Sequence, residues 1–488
     1  MNKYSMSRWW EVAFCVLLAG AFCLCFSIST SPLYTHYGYD SVIFQLIGKF
    51  WAEGHIPYVE LWDHKGPYIF FINALGYGMT GNAIGVFLLQ VLHLAVTLFF
   101  ILKGFLLFRK PLQACLLTAV SLLWLLCSFD EGNLTEEYML PWIAAVIFLT
   151  LRWTQEKGFP RTNGFNPAIS LFSGIILGLG LMTRLTNAII PCGIMLFAGI
   201  QMLVRQEWRT LAKTVLLYIC GFLVSTLPFI LYFAAKGALY DMWFGTFLMN
   251  FSYATGTGGF HFPSIVRNIL LLAAPFVGTA VLSAFLTVTD KEFRPTALLW
   301  MLASLPYLLW LVAGKCFTHY NMVAYPLIPV LFVLADRISA RSRIPWEKIL
   351  AGLVVAGGLA FAFVGFRQSL KGFDNSSCQA GIDLVREHVP ENELTAFNAW
   401  ECHPAVYQKL GVKPCYPHFI AQAWHASFTD MVARAIRTEC ESLQAEWLLV
   451  VPYRASMIQD ILDKEYTVVA SSGDEDLPYL LYKRNAHE

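Results

Sequence analysis

Residues 39–67 read YDSVIFQLIGKFWAEGHIPYVELWDHKGP. Asp40, Glu53, Glu60, Asp63, His64 and Lys65 crowd into this stretch, in a chain that elsewhere avoids charge. Ionisable groups beside a bilayer are costly, and where they gather they point to a ligand or a reaction. The stretch is the leading candidate for a functional site, and the apolar segments on either side of it decide the fold class.

Of the 488 residues, 57% are hydrophobic and only 14% are charged, which places the chain among polytopic membrane proteins. The 34 basic and 33 acidic residues nearly cancel, so the chain lacks the basic footprint of a nucleic-acid binder. A membrane-spanning helix needs about 20 mostly apolar residues. Eleven segments, some of them short, meet that need: near 9–29, 83–107, 111–128, 138–153, 168–183, 187–204, 211–235, 264–288, 296–314, 320–336 and 348–366. The run from Ala168 to Val204 is broken at Thr183-Arg184-Leu185-Thr186-Asn187 and is read as two short helices. No small-residue cleavage site follows the first segment, which reads as an uncleaved helix.

Lysine and arginine set the orientation. One series of loops carries Lys3 and Arg8, Arg109 and Lys110, Arg152, Lys157 and Arg161, Arg205, Arg209 and Lys213, Lys291 and Arg294, then Arg337, Arg341, Arg343 and Lys348. The alternate loops hold only Lys49, Lys65, Arg184, Lys236 and Lys315. The first series is read as cytoplasmic, with the N-terminus inside. The 39–67 stretch and the tail then share the outer face of a plasma membrane, and the lipid bilayer is a partner by composition.

After Phe366 charges become frequent and prolines recur, so residues 1–371 are expected to form the membrane domain and 372–488 a small extracytoplasmic α/β domain. Apolar runs at 394–397, 447–451 and 478–482 read as strands, and 378–388 and 429–445 as amphipathic helices. Cys378, Cys402, Cys415 and Cys440 lie in this tail, where an oxidising compartment would let them pair. Cys402, His403, Cys415 and His418 are zinc donors by type, in a spacing that matches no usual zinc pattern.

Tyr39-Asp40, Pro57-Tyr58 and Trp62-Asp63-His64-Lys65-Gly66-Pro67, in this order between the first two predicted spans, resemble the first outer loop of GT-C glycosyltransferases. These polytopic enzymes use polyprenyl-phosphate sugars and include protein O-mannosyltransferases and the aminoarabinose transferase of lipid A. The likeness covers the layout of most of the membrane region, and in motif it rests mainly on this loop. Gly66, between Lys65 and Pro67, departs from the family pattern.

The resemblance implies an α-helical GT-C-like membrane enzyme that transfers a sugar from a polyprenyl-phosphate donor to an acceptor on the outer face, with inversion. An acceptor hydroxyl needs a base, and Asp40 is the candidate; it could at the same time cap a helix starting at Ser41. The departing lipid phosphate needs fixed cationic donors. Lys65, Arg184, Lys315, His319 and Tyr320 are expected there, although Arg184 could be an interfacial arginine and His319 and Tyr320 members of an interfacial belt. Glu136, with Glu137 beside it, is the candidate second carboxylate; the run from Asp130 to Tyr138 also reads as an ordinary helix start. Tyr58 and Trp62 could stack on a sugar, as could Trp51, Trp243 and Tyr253. Asp63 and His64 are substrate-binding candidates that could also ligate a divalent metal. Two rival readings are a transporter or flippase for a lipid-linked glycan and a non-catalytic relative that binds one.

Overall fold

The computed structural model describes residues 8–34, 38–156, 158–161, 165–256, 274–313, 317–371, 376–473 and 478–486. The apolar segments are helical: α1 (Arg8–Phe26), α4 (Ala83–Leu106), α5 (Pro111–Phe129), α6 (Leu140–Thr154), α7 (Pro167–Leu181), α8 (Ile189–Val204), α9 (Trp208–Ala235), α12 (Ala274–Thr289), α13 (Arg294–Ala313), α14 (Ile328–Ser339) and α15 (Trp346–Lys371). Among the described residues six helical runs are long and apolar enough to cross a membrane: α1, Leu185–Val204, α4, α9, Thr318–Ser339 and the Trp346–Val364 part of α15. Helices α5, α6, α7 and α12 are apolar but shorter. The break at Thr183–Asn187 is a turn leading into a short 3₁₀ helix, Leu185–Ala188, as the polar interruption implies.

The 39–67 stretch is more ordered than a connecting loop. It opens with α2 (Tyr39–Ala52) and leads into α3 (Pro67–Thr80), which pack on each other. Each is 14 residues long, below the spanning length, which is why a hydropathy reading passes over them. Pro67 suits the first position of α3, where its missing N–H costs nothing. Gly66 explains itself here. A Cβ at Gly66 would lie 2.1 Å from the Met182 carbonyl oxygen, and the next amide, Tyr68 N–H, donates to that same oxygen at 3.1 Å. The glycine lets residues 63–67 lie directly on the turn that carries Arg184.

Beyond α9, a short α10 (Leu239–Trp243) runs through a π-turn into α11 (Met249–Gly256). The tail holds α16 (Ser376–His388), α17 (Ala405–Leu410), α18 (Gln422–Ala426), α19 (Asp430–Glu441), α20 (Gln459–Glu465) and four strands. These are β1 (Phe397–Trp400), β2 (Trp447–Val450), β3 (Tyr466–Ser471) and β4 (Leu480–Arg484), in the order β1-β2-β4-β3. β1 runs parallel to β2, with Phe397 opposite Trp447, and the other pairs are antiparallel. Three positions differ from the sequence expectation. Residues 391–396 form a 3₁₀ turn, so the first strand starts at Phe397. α19 stops at Glu441 because Leu443 takes a left-handed φ of 54°. β3 was missed because it is an edge strand whose Val468 and Val469 both stay exposed, which removes the alternation that betrays a strand. The four tail cysteines are free thiols and not disulfides, and burial raises the pKa of each.

The tail rests on the 39–67 stretch. The Trp62 amide donates to the Pro417 carbonyl at 2.9 Å, and its indole packs between His418 and His425, with centroids 4.7 and 5.0 Å away. Lys413 pairs with Glu60 at 2.9 Å, and Gln408 donates to Gln45 at 3.1 Å. His425 is buried in this contact. Burial, with His64 and His418 nearby, pulls its pKa from 6.5 down to about 3, against the opposing pull of Asp63.

Two predictions follow from this packing. Gly66→Ala forces a backbone collision, so the melting temperature of the purified protein should fall by the equivalent of about 1 to 3 kcal/mol; an unchanged value would show that the close approach is dispensable. His425 stays neutral when docked, so an undocked tail takes up a proton below pH 6.5 that the docked one refuses. Its contribution is full above pH 6.5 and is lost as pH falls toward 3, at no more than about 1.4 kcal/mol per pH unit. Protease sensitivity of the tail should rise through that window in the wild type and stay flat in His425→Gln.

Candidate functional site

Asp40 stands in the first turn of α2, half-buried. It is not the cap of that helix. The cap position is Gly38, and the amides of Tyr39 and Ser41 donate to the two carboxylate oxygens of Glu131 at 3.0 and 3.1 Å. Gly38 has no room for a Cβ, which would sit 1.9 Å from the Glu131 carboxyl carbon. Burial pushes Glu131 up to about 7, with Asp40 and Asp130 adding to the rise and the two amides opposing it. Glu131 thus takes over the capping, and the Asp40 carboxylate is not spent on it.

Lys65 faces Asp40. Burial favours its neutral amine, but Asp40, Tyr320 and Asp63 outweigh that effect and hold it protonated, above its ordinary range, even with Arg184 nearby. Its backbone is fixed from two sides. The Tyr58 hydroxyl donates to the Lys65 carbonyl at 2.8 Å, and the Asn250 amide donates to the His64 carbonyl at 2.5 Å. Tyr58 takes a left-handed φ of 69°, the backbone bend that turns its ring inward against Phe70 and Phe233.

Arg184 approaches from the turn under Gly66. Its guanidinium lies over the Tyr320 ring and donates to Glu136 at 3.3 Å. Glu136 is almost wholly buried and also accepts from Thr135 at 2.8 Å, so it is a fixed counter-charge beneath the arginine. His319 and Thr318 bind Asp130, each at 3.2 Å, tying the second acidic loop to the start of the 3₁₀ run Thr318–Leu327. Asp40, Lys65, Arg184, Tyr320 and Glu136 are therefore linked through one another, with His319 alongside. Lys315 and the side chain of Tyr253 lie outside the described residues.

Three expected substrate contacts are otherwise engaged. Tyr58 and Trp62 are buried, one holding the Lys65 backbone and the other wedged under the tail, so neither presents a face to a sugar. Glu137 accepts from Gln90 and from the Leu134 amide, both at 2.8 Å, below the loop. Burial raises it to about 8.

Asp63, His64 and His425 bring Oδ1, Nδ1 and Nε2 within 4.8 Å of one another in a buried group, the donor set that a metal could use. The hydrogen bonding argues for a different arrangement. Lys65 stands 3.1 Å from His64 Nε2 and can only donate, so the His64 proton sits on Nδ1 and points toward Asp63 at 3.0 Å. His425 Nδ1 is 3.1 Å from the Ile420 carbonyl, and its Nε2 is 3.4 Å from His64 Nδ1. A cation at this point would meet a proton and an ammonium. The set fits a hydrogen-bond chain that runs from the tail to Lys65, and it holds Asp63 ionised below the usual carboxylate range, since His64, Lys65 and His425 outweigh burial. Among the described residues, Cys402, His403, Cys415 and His418 do not gather into a metal group: Cys402 donates to backbone carbonyls and His418 pairs with Glu439 at 2.6 Å.

Sequence reasoning missed three residues that build this site. Glu131 was visible only as one member of an acidic run. Asn133, which links Ser41, Asn73 and Tyr138 at 2.6 to 3.3 Å, has a left-handed φ of 60°, and asparagine before an apolar run is a faint sign of that. His425 lies 361 residues from His64 and gave no signal.

No protein-family model matches the chain, and no curated protein matches it by sequence. Solved structures do. ArnT from Cupriavidus metallidurans bound to undecaprenyl phosphate superposes with a TM-score of 0.60 at 14% identity, covering 98% of each chain. The apo state of the same protein gives 0.60 and 14% over 97% of each. An oligosaccharyltransferase from Archaeoglobus fulgidus gives 0.51 at 11%, covering 91% of this chain and 70% of that one. The likeness to ArnT extends from one end of the chain to the other, tail included, and with it the chain has the fold of the GT-C glycosyltransferases.

Proposed function

We propose that this protein transfers a sugar from a polyprenyl-phosphate donor to an acceptor on the outer face of the membrane, with inversion at the anomeric carbon. The observation that carries the reading is the linked set Asp40, Lys65 and Arg184, one carboxylate and two cations, with Glu136 buried behind the arginine. It sits in a fold shared with a protein crystallised with undecaprenyl phosphate.

Asp40 accepts the proton of the acceptor hydroxyl as its oxygen attacks the anomeric carbon. The bond from that carbon to the phosphate oxygen breaks on the opposite side, and its electron pair leaves with the polyprenyl phosphate. Lys65 and Arg184 meet that growing charge, and His319 and Tyr320 complete the rim. Neither cation needs a large reorganisation during the step, since Glu136 already holds Arg184 and the Tyr58 and Asn250 hydrogen bonds fix the backbone at Lys65. Asp63 and His64 act behind Lys65. The membrane part, 1–371, carries this chemistry, and the 372–488 unit presses on the 39–67 stretch and shapes access for the acceptor. The N-terminus is cytoplasmic and the tail extracytoplasmic, in a plasma membrane.

The test is transfer or donor hydrolysis by purified protein across a panel of polyprenyl-phosphate sugars. Asp40→Asn should lower turnover by about 10²- to 10⁴-fold while the protein still folds and melts cooperatively; near-normal turnover would remove Asp40 from the mechanism. Lys65→Gln and Arg184→Gln should each cost about 10²- to 10³-fold in kcat. Loss of donor binding with kcat preserved would instead make both residues ground-state binders.

A further inference from the structure

A second polar concentration lies at the opposite end of the bundle and plays no part in the reaction above. Gln90 of α4 contacts Glu137 under the candidate site, and Lys103 of the same helix contacts Glu11 of α1. Their offset of 13 positions puts the two ends about 20 Å apart along the helix axis. At the Lys103 end the tips of α4, α5, α6, α14 and α15 line an open cavity of about 1650 Å³. That exceeds the roughly 300 to 1,000 Å³ of an ordinary small-molecule pocket.

Its lining is divided. Lys103, Arg109, Lys110, Arg152 and Lys348 supply five cations, against the carboxylates of Glu156, Asp336 and Glu347. Two of the five are committed: Arg109 makes a bidentate pair with Asp336 at 2.6 and 2.7 Å, and Lys103 is held by buried Glu11 at 2.9 Å. Lys110, Arg152 and Lys348 are exposed, come from three different helix ends and form no ion pair among the described residues. Leu117, Phe148 and Phe332 continue the wall into the apolar part of the bundle. Cations at the rim and an apolar wall behind them match one class of ligand, an anionic headgroup attached to hydrocarbon chains. Basic pockets between helix ends at the headgroup level bind such lipids.

We propose that this cavity binds an anionic diacyl phospholipid, its phosphate held by Lys110, Arg152 and Lys348 and its chains laid along Leu116, Leu117 and Phe148. The site is separate from the donor site at the far end, and its occupancy can be read without any sugar transfer.

The test uses the full chain, delipidated in detergent and titrated with phosphatidylglycerol or with phosphatidylcholine of the same acyl chains, with retained lipid counted by native mass spectrometry. Phosphatidylglycerol should be retained about tenfold better, and Lys110→Gln/Arg152→Gln/Lys348→Gln should lose that preference. Arg205→Gln/Arg209→Gln, which removes bases outside the cavity, should keep it. The melting temperature of each variant without lipid serves as the folding check, and wild type and the Arg205→Gln/Arg209→Gln control, but not the triple variant, should gain thermal stability from phosphatidylglycerol. Equal retention of the two lipids, or undiminished retention by the triple variant, would overturn the proposal. So would an equal gain of stability from inorganic phosphate, which would mean an anion site and no lipid.

Discussion

A carboxylate taken out of water must find partners or lose its charge, and residues 130–138 bury Glu136 and Glu137 and partly bury Glu131. Each solves the problem differently. Glu131 takes the free amides of α2, Glu136 takes the Arg184 guanidinium and the Thr135 hydroxyl, and Glu137 takes Gln90 and a loop amide. The solutions fix the start of α2, the arginine turn and the top of α4 relative to one another. Because Glu131 caps α2, Asp40 can stand one residue into that helix without being needed to hold it. Removing the Arg184 guanidinium would strand the buried Glu136 carboxylate and cost several kcal/mol, so this loop is the point from which the candidate site is hung.

The 39–67 stretch supplies the opposite sign under the same constraint. Lys65 stays charged only because Asp40 and Asp63 are beside it, and Asp63 stays ionised only because His64 and Lys65 are beside it. The tail closes the arrangement through His425, which adds a neutral ring and keeps water from the far side of Asp63. Lys65 is thus held by groups from the α2 turn, from its own loop and, through His64, from a helix more than 350 residues away. A lysine on a four-carbon stem is otherwise a poor fixed donor.

How much of this was legible follows from the range of each force. Hydropathy acts over a single helix, so the apolar segments could be read from sequence, and the break at Arg184 was visible because one guanidinium in an apolar run has no local excuse. The charges of the 39–67 stretch were visible for the same reason. α2 and α3 were not, since 14-residue helices buried by their neighbours carry no spanning signature. Tyr58 and Trp62 looked like sugar platforms because residue type alone does not say which way a ring faces; a left-handed backbone at Tyr58 and a docked tail over Trp62 decided it. Gly66 looked like a departure from the family pattern and is a close approach to Met182.

The placement of charge also bears on what kind of membrane protein this is. A pathway across the bilayer needs ionisable groups at mid-depth. In the six long apolar runs the Asp, Glu, Lys and Arg residues keep to the end turns: Arg8 and Glu11 in α1, Lys103 in α4, Arg209 and Lys213 in α9, Asp336 and Arg337 at the close of α14, Glu347 and Lys348 at the start of α15; His93 lies mid-way along α4, its Nδ1 2.7 Å from the Leu89 carbonyl of the same helix. The run Leu185–Val204 has none. The polar groups instead collect in two layers, one at each end of the helices. A charged sugar or phosphate crossing between those layers would meet some 20 Å without a carboxylate, lysine or arginine on these helices. A donor whose lipid stays in the membrane and whose phosphate lies at one surface never has to make that crossing, and a chain built in this way favours a reaction at a face over passage through it.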